Sequence, residues 1–152
     1  MKQPPSATLR METLNVRSLS GRLGGVLDLA NLHALHVMCF QETRVHQDSW
    51  SAVCIAAKKS GWDVYPGKQD TDSSGAVVGG TLILSKWPAQ PVQVPDTVQC
   101  PERVMAVKLY RPSQRPLLLV NVYLKSGIRT VAGHCLNSVF ISPSMRAVAS
   151  LR

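Results

Sequence analysis

Between His36 and Arg44 the chain passes from an apolar run, Val37-Met38-Cys39-Phe40, directly into an amide, a carboxylate, a hydroxyl and a guanidinium at Gln41, Glu42, Thr43 and Arg44. A short apolar run bounded by polar residues is the pattern of a buried strand. The polar group then sits at that strand's carboxyl end. In open α/β sheets ligands collect at such ends, because the loops there vary while the sheet holds their first residue rigidly. Glu42 is therefore the first candidate functional residue.

The flanking segments build a β-α-β unit around this strand. Met11 to Val16 alternates as a first strand, and Leu23, Val26, Leu27 and Ala30 follow at helical spacing, with Ser18 or Ser20 offering an N-cap. Gly24 and Gly25 weaken that helix by about 1 kcal/mol each, so packing must hold it. A second helix runs from an Asp48 cap through Trp50, Val53, Cys54 and Ala57 to Lys58-Lys59 and a stop at Gly61. Trp62 to Tyr65 is a strand, residues 69–75 form a polar surface loop, and Val77 to Ser85 is an apolar strand opened by Gly79-Gly80. Val92 to Val94, Arg103 to Tyr110 and Pro116 to Leu124 supply three more strands, with a hairpin turn at 111–115. The order is β-α-β-α followed by an antiparallel meander. After Gly127 no sustained period remains, and residues 1–10, with two prolines, read as a disordered lead.

With 152 residues, 45% of them apolar, the chain is sized for one domain with a core. Four cysteines and four histidines are scattered, with no close pair of the kind that a zinc site or redox motif needs, so free thiols in a reducing compartment are expected. No apolar run reaches membrane-spanning length and the start lacks a secretory hydrophobic segment, which predicts an intracellular protein, nuclear or cytoplasmic, with no membrane association. Charge is divided unevenly: residues 1–102 carry nine Lys and Arg against nine Asp and Glu, whereas residues 103–152 carry eight Lys and Arg and no acid. A basic final third suits a phosphate backbone, although basic surfaces are also common solvated faces.

Hydrolysing a phosphodiester near neutral pH needs a Lewis acid to offset charge on the phosphoryl oxygens, and Mg2+ is held by one or two carboxylates with water in its other positions. A lone carboxylate at a strand end suits that role; it equally suits a loop cap or an ion pair with Arg44. Asn15 closes the preceding strand and should lie beside Glu42, since consecutive strands of a β-α-β unit are usually neighbours. Its plainer reading is a turn residue. Tyr123, in an alternating strand, fits half-buried packing. Arg44 and Lys125 are placed either to meet phosphates or simply to be solvated.

Three segments together carry a family resemblance. Asn15-Val16-Arg17-Ser18-Leu19 after the first strand, Gln41-Glu42-Thr43-Arg44 after the second, and Gly79-Gly80-Thr81-Leu82-Ile83-Leu84-Ser85-Lys86 resemble the endonuclease/exonuclease/phosphatase superfamily, the fold of deoxyribonuclease I and abasic-site endonucleases. They look most like the endonuclease domains of non-LTR retrotransposons. The resemblance implies Glu42 as the ligand of Mg2+ or Mn2+ and Asn15 as the organiser of the metal site and scissile phosphate. It implies Tyr123, in the family's "N-x-Y" strand, as a hydrogen-bond donor to the phosphate in the transition state, with Arg44, Lys125 and Asn121 as phosphate-binding groups. The implied fold is half of a four-layer α/β sandwich, a mixed sheet of β-α-β-α order followed by antiparallel strands. It occupies residues 11–127, between the lead at 1–10 and an unrelated, disordered extension at 128–152.

The family's "G-D-x-N" and "S-D-H" segments, which orient the attacking water and contact the phosphate, do not occur in this chain. The expectation is then a truncated Mg2+-dependent phosphodiesterase domain, inactive alone or nearly so, with weak metal binding and DNA as its partner. The sheet face carrying residues 37–40, 77–84 and 116–122 would be left open and favour self-association. The alternatives are a non-catalytic nucleic-acid-binding module, or a relative acting on a sugar-phosphate, lipid or RNA phosphoester, because fold does not fix substrate.

Overall fold

The apolar run does form a strand, β2 (Val37–Gln41), and all five of its residues are buried. The computed structural model describes residues 8–98 and 100–123, together with the backbone of 138–142 and 149–150. β2 pairs in parallel with β1 (Met11–Asn15) through the crossover helix α1 (Leu23–Leu32). On its other side it runs antiparallel to β4 (Thr81–Ser85), which in turn takes β3 (Asp63–Pro66), reached through helix α2 (Trp50–Lys59). The order in this mixed sheet is β1-β2-β4-β3.

Successive side chains of a strand point to opposite faces, so β2 and β4 each serve two cores. Met38, Phe40, Leu82 and Leu84 pack with Leu27 and Ala30 of α1, Ala57 of α2 and the indole of Trp62. Both helices therefore cover one face of the sheet. Val37, Cys39 and Ile83 point the other way, against Met105, Val107, Leu109, Leu117 and Leu119. Those residues come from a second, wholly antiparallel sheet of β5 (Ala89–Val92), β6 (Val104–Leu109), β7 (Leu117–Val122), β8 (Ser138–Ser142) and β9 (Ala149–Ser150). In β6 and β7 buried residues alternate with more exposed ones, the pattern of strands with one face on the core.

The layers are thus helices, mixed sheet and antiparallel sheet, and this corrects the open face predicted from sequence. The meander does not extend the first sheet; it folds beneath it, leaving Val37, Cys39 and Ile83 with 0% exposure. The chain turns at the end of β4, where the Ser85 hydroxyl donates to the Trp87 carbonyl and accepts from its N–H, at 2.7 and 3.1 Å. Tyr65 pins the new strand by bonding the carbonyl and N–H of Ala89.

Other local expectations also change. Neither Ser18 nor Ser20 caps α1, because the Ser20 N–H donates to Ser18 Oγ in a turn ahead of the helix. Asp48 lies in a 3-10 turn, Gln47–Ser49, and the start of α2 has no side-chain cap. That helix does end as its sequence indicates, with Lys58 and Lys59 in the last turn and Gly61 at φ +83°. Within the predicted lead, Leu9 packs against the inter-sheet core and the Arg10 carbonyl accepts from His36 and Val37. The boundary near Gly127 lies outside the described residues, and beyond it β8 pairs with β7 and β9 with β8 where no regular structure was expected.

Packing between the sheets has a measurable signature. Ile83→Ala, in the inter-sheet core, should lower the free energy of unfolding in urea by about 2–5 kcal/mol. Leu118→Ala, on the outer face of β7 at 37% exposure, should cost less than about 1 kcal/mol.

Candidate active site

Parallel pairing sets the ends of β1 and β2 side by side, with Asn15 opposite Gln41 in register. The Asn15 amide Nδ2 donates to Glu42 Oε1 at 2.9 Å, and its Oδ1 accepts from the Arg17 N–H at 3.1 Å, so the amide is oriented from behind. Arg44 Nη2 meets the other carboxylate oxygen, Oε2, at 3.2 Å. Arg17, Glu42 and Arg44 all have left-handed backbone, with φ of +53°, +54° and +49°. For residues with a Cβ that conformation costs roughly 1–2 kcal/mol each, and it must be held from outside. The holders are backbone bonds: Thr43 N to Gly80 O at 3.2 Å, Arg44 N to Gly79 O at 2.9 Å, and Leu19 N to Thr43 O at 2.8 Å. The alternation of left-handed Glu42, buried Thr43 and left-handed Arg44 brings the carboxylate and guanidinium together while Thr43 turns inward.

Gly80 is required for this arrangement. Its φ is +106°, and a Cβ there would stand 2.8 Å from Thr43 Oγ1. At Gly79 a Cβ would collide with the Asp70 carboxylate. The glycine pair that opens β4 in the sequence is therefore the seat of the Glu42 turn.

Tyr123 follows β7, and its N–H donates to the Arg103 carbonyl at 2.9 Å. Burial, together with the nearby Glu42 carboxylate, raises its phenol above the ordinary value, so it is protonated at neutral pH. Partial burial alone would raise Glu42. Hydrogen bonds from Asn15 and Tyr123 and the charge of Arg44 outweigh it, so the carboxyl is held below its ordinary value and stays ionised.

Four of the residues expected from sequence therefore meet: Asn15, Glu42, Arg44 and Tyr123. Asn121 is close behind them but has 0% exposure, and its amide is engaged by Gln41 and by the carbonyls of Phe40 and Leu82. It supports the site without reaching its surface. Lys125 lies outside the described residues. Two residues that sequence reasoning missed stand beside Tyr123. Asp70 leaves the polar loop and is buried against Arg103, with Nη2 to Oδ2 at 3.1 Å, while its neighbour Asp72 keeps the expected surface-turn role, accepting from Ser74 and Ala76. The pairing of Leu109 with Leu117 was a usable signal, since counting back along that hairpin places Arg103 across from Tyr123.

No group of three or more His, Cys, Asp and Glu side chains converges among the described residues. The donor set nevertheless fits a hard cation that keeps most of its water, since an ionised, oxygen-only carboxylate at a partly exposed strand end is the usual protein contribution to Mg2+.

This is the architecture of a phosphoesterase-type α/β sandwich, with a carboxylate at the mouth of its mixed sheet. Residues 13–147 match the Endonuclease/Exonuclease/phosphatase family, and the chain belongs to it. An abasic-site (AP) endonuclease from Archaeoglobus fulgidus shares the fold, with TM-score 0.55 and 20% identity over 67% of this chain and 37% of that one. A 3′ phosphatase, NExo, from Neisseria, solved bound to product DNA hairpin, superposes with TM-score 0.56 and 25% identity over 76% of this chain and 41% of its own. A 3′-5′ exonuclease from Neisseria meningitidis gives TM-score 0.54 and 23% identity over 74% and 40%. The chain thus spans about two fifths of the length of these structures. No curated protein matches it in sequence.

Asn15→Ala removes the 2.9 Å bond to Glu42 and should raise that carboxyl towards its ordinary value, as followed by NMR titration of its side-chain carboxyl carbon. A depressed carboxyl contributes stability above its unfolded pKa and loses it as pH falls through the folded value. The variant should therefore show a smaller acid-induced loss of stability in that window than the wild type does.

Proposed function

We propose that this chain carries part of a Mg2+-dependent phosphodiesterase site directed at nucleic acid, and that alone it turns substrate over slowly or not at all. The observation that carries this reading is the Glu42 carboxylate at the strand mouth, one oxygen held by the Asn15 amide at 2.9 Å and the other facing Arg44 at 3.2 Å. Glu42 would hold the cation, which supplies charge neutralisation at the phosphoryl oxygens when bound. Asn15 orients the carboxylate; Tyr123 presents a protonated hydroxyl to a phosphate oxygen; Arg44, 48% exposed at its side chain, can turn from Glu42 to the phosphate backbone. The Neisseria phosphatase with its product DNA hairpin supports a nucleic-acid substrate, as does the acid-free, basic final third of the sequence. DNA nicking of the retrotransposon type is the particular form that the residues Asn15 to Leu19 and Gln41 to Arg44 favour.

Low turnover follows from the donor count. One protein carboxylate leaves most of a divalent ion's coordination to water and binds it weakly, and neither a "G-D-x-N" nor an "S-D-H" segment is present to orient water.

Calorimetric titration with Mn2+ should show weak binding that Glu42→Gln abolishes, and plasmid DNA incubated with Mg2+ should be nicked no faster than with Glu42→Gln. Equal Mn2+ binding by the two proteins would refute the role of Glu42. Mg2+-dependent nicking that Glu42→Ala removes would refute the expected inactivity.

A further inference from the structure

Asp70 and Arg103 form the most deeply buried ion pair among the described residues, with side chains 7% and 11% exposed. Burying two charges is costly unless geometry and neighbours compensate, and here the directional part is incomplete. Although Nη2 and Oδ2 are 3.1 Å apart, Asp70 Oδ2 and Arg103 Nε lack an aligned hydrogen bond, and Nε only faces Glu102 Oε1 at 3.7 Å. What the pair does have is Tyr123. The Arg103 guanidinium lies 5.4 Å from the centroid of that ring, and the Arg103 carbonyl accepts from the Tyr123 N–H at 2.9 Å. One residue thus holds both the backbone and the ring of the tyrosine.

Asp70 is itself fixed by the seat of the site. Its carbonyl accepts from Val78 N–H at 2.9 Å, and its carboxylate fills the space left by the missing side chain of Gly79. Gly79 in turn accepts from the backbone of Arg44, two residues past Glu42. The chain of contacts Glu42 turn, Gly79, Asp70, Arg103, Tyr123 therefore closes on itself, since Gln41, just before Glu42, is bonded to Asn121, two residues before Tyr123, at 2.7 Å.

We propose that Asp70 and Arg103 are positioning residues for Tyr123: the carboxylate holds the guanidinium against the ring, and the ring carries its hydroxyl to Glu42. The proposal rests on the reading of Glu42 and Tyr123 as site residues, and extends it to the buried pair behind the tyrosine. Arg103 links the two sheets here, since it precedes β6 while Asp70 belongs to the loop before β4.

The test uses the full chain labelled with 3-fluorotyrosine, which gives three fluorine resonances, for Tyr65, Tyr110 and Tyr123, assigned by Tyr→Phe variants. Asp70→Asn is the main substitution, because it keeps the side chain's shape and removes the charge that holds Arg103. Its expected effect is to move the Tyr123 line to the position of fluorotyrosine in the unfolded chain, with the Tyr65 and Tyr110 lines unmoved. Arg103→Met should do the same, and Arg103→Lys should retain part of the native shift. A Tyr123 line that keeps its native position in Asp70→Asn overturns the proposal; if Arg103→Met collapses all three lines by unfolding, Asp70→Asn decides. This readout needs neither metal nor turnover, so its failure is separate from failure of the Glu42 reading, which the Mn2+ titration decides.

Discussion

Two buried amides, Gln41 and Asn121, tie the two sheets together where their apolar interface ends. Gln41 Nε2 donates to Asn121 Oδ1 at 2.7 Å and to Thr13 Oγ1 at 2.9 Å, while Asn121 Nδ2 donates to the carbonyls of Phe40 and Leu82. One pair of side chains thus links β1, β2 and β4 of the mixed sheet to β7 of the antiparallel sheet. Hydrophobic contact between Ile83 and residues such as Leu119 holds the layers together but is non-directional. The amides add direction, since a sliding of one sheet over the other would leave buried donors unpaired, at roughly 1–3 kcal/mol each.

Everything at the site hangs on that fixed relation. Glu42 is the residue after Gln41 on one sheet, and Tyr123 is two residues after Asn121 on the other, so the tie sets the distance between carboxylate and phenol. The glycine pair at 79–80 then holds the left-handed turn that presents Glu42, and its place at the head of β4 keeps that turn in register with the same tie. Strain at Glu42 and Arg44 is tolerable because the sheet determines the backbone on both sides of it.

How much of this could be read from sequence depends on the range of the interaction. The β2 run, the crossover helix and the face of α2 are local patterns of apolar spacing, and each is found where its residues indicate. The neighbouring of Asn15 and Glu42 follows from β-α-β topology alone. The stacking of the meander beneath the first sheet did not follow, because alternation in β6 and β7 shows that one face is buried without showing against what. Asp70 was hidden for a related reason. Within the run Asp70-Thr71-Asp72-Ser73-Ser74 its composition is that of a surface turn, and only the void at Gly79 and the charge of Arg103 draw it inward. β8 was missed because three apolar residues, Val139-Phe140-Ile141, are too short a run to separate from a loop.

The Gln41 and Asn121 side chains act as one unit that holds the two sheets in register at the site. A double-mutant cycle with Gln41→Leu, Asn121→Leu and the pair, measured by urea denaturation, tests it most directly. Each single substitution should destabilise by leaving the other amide unpaired, and the double variant should be less destabilised than the sum by at least about 1 kcal/mol. Additive losses, with a coupling below about 0.3 kcal/mol, would contradict it.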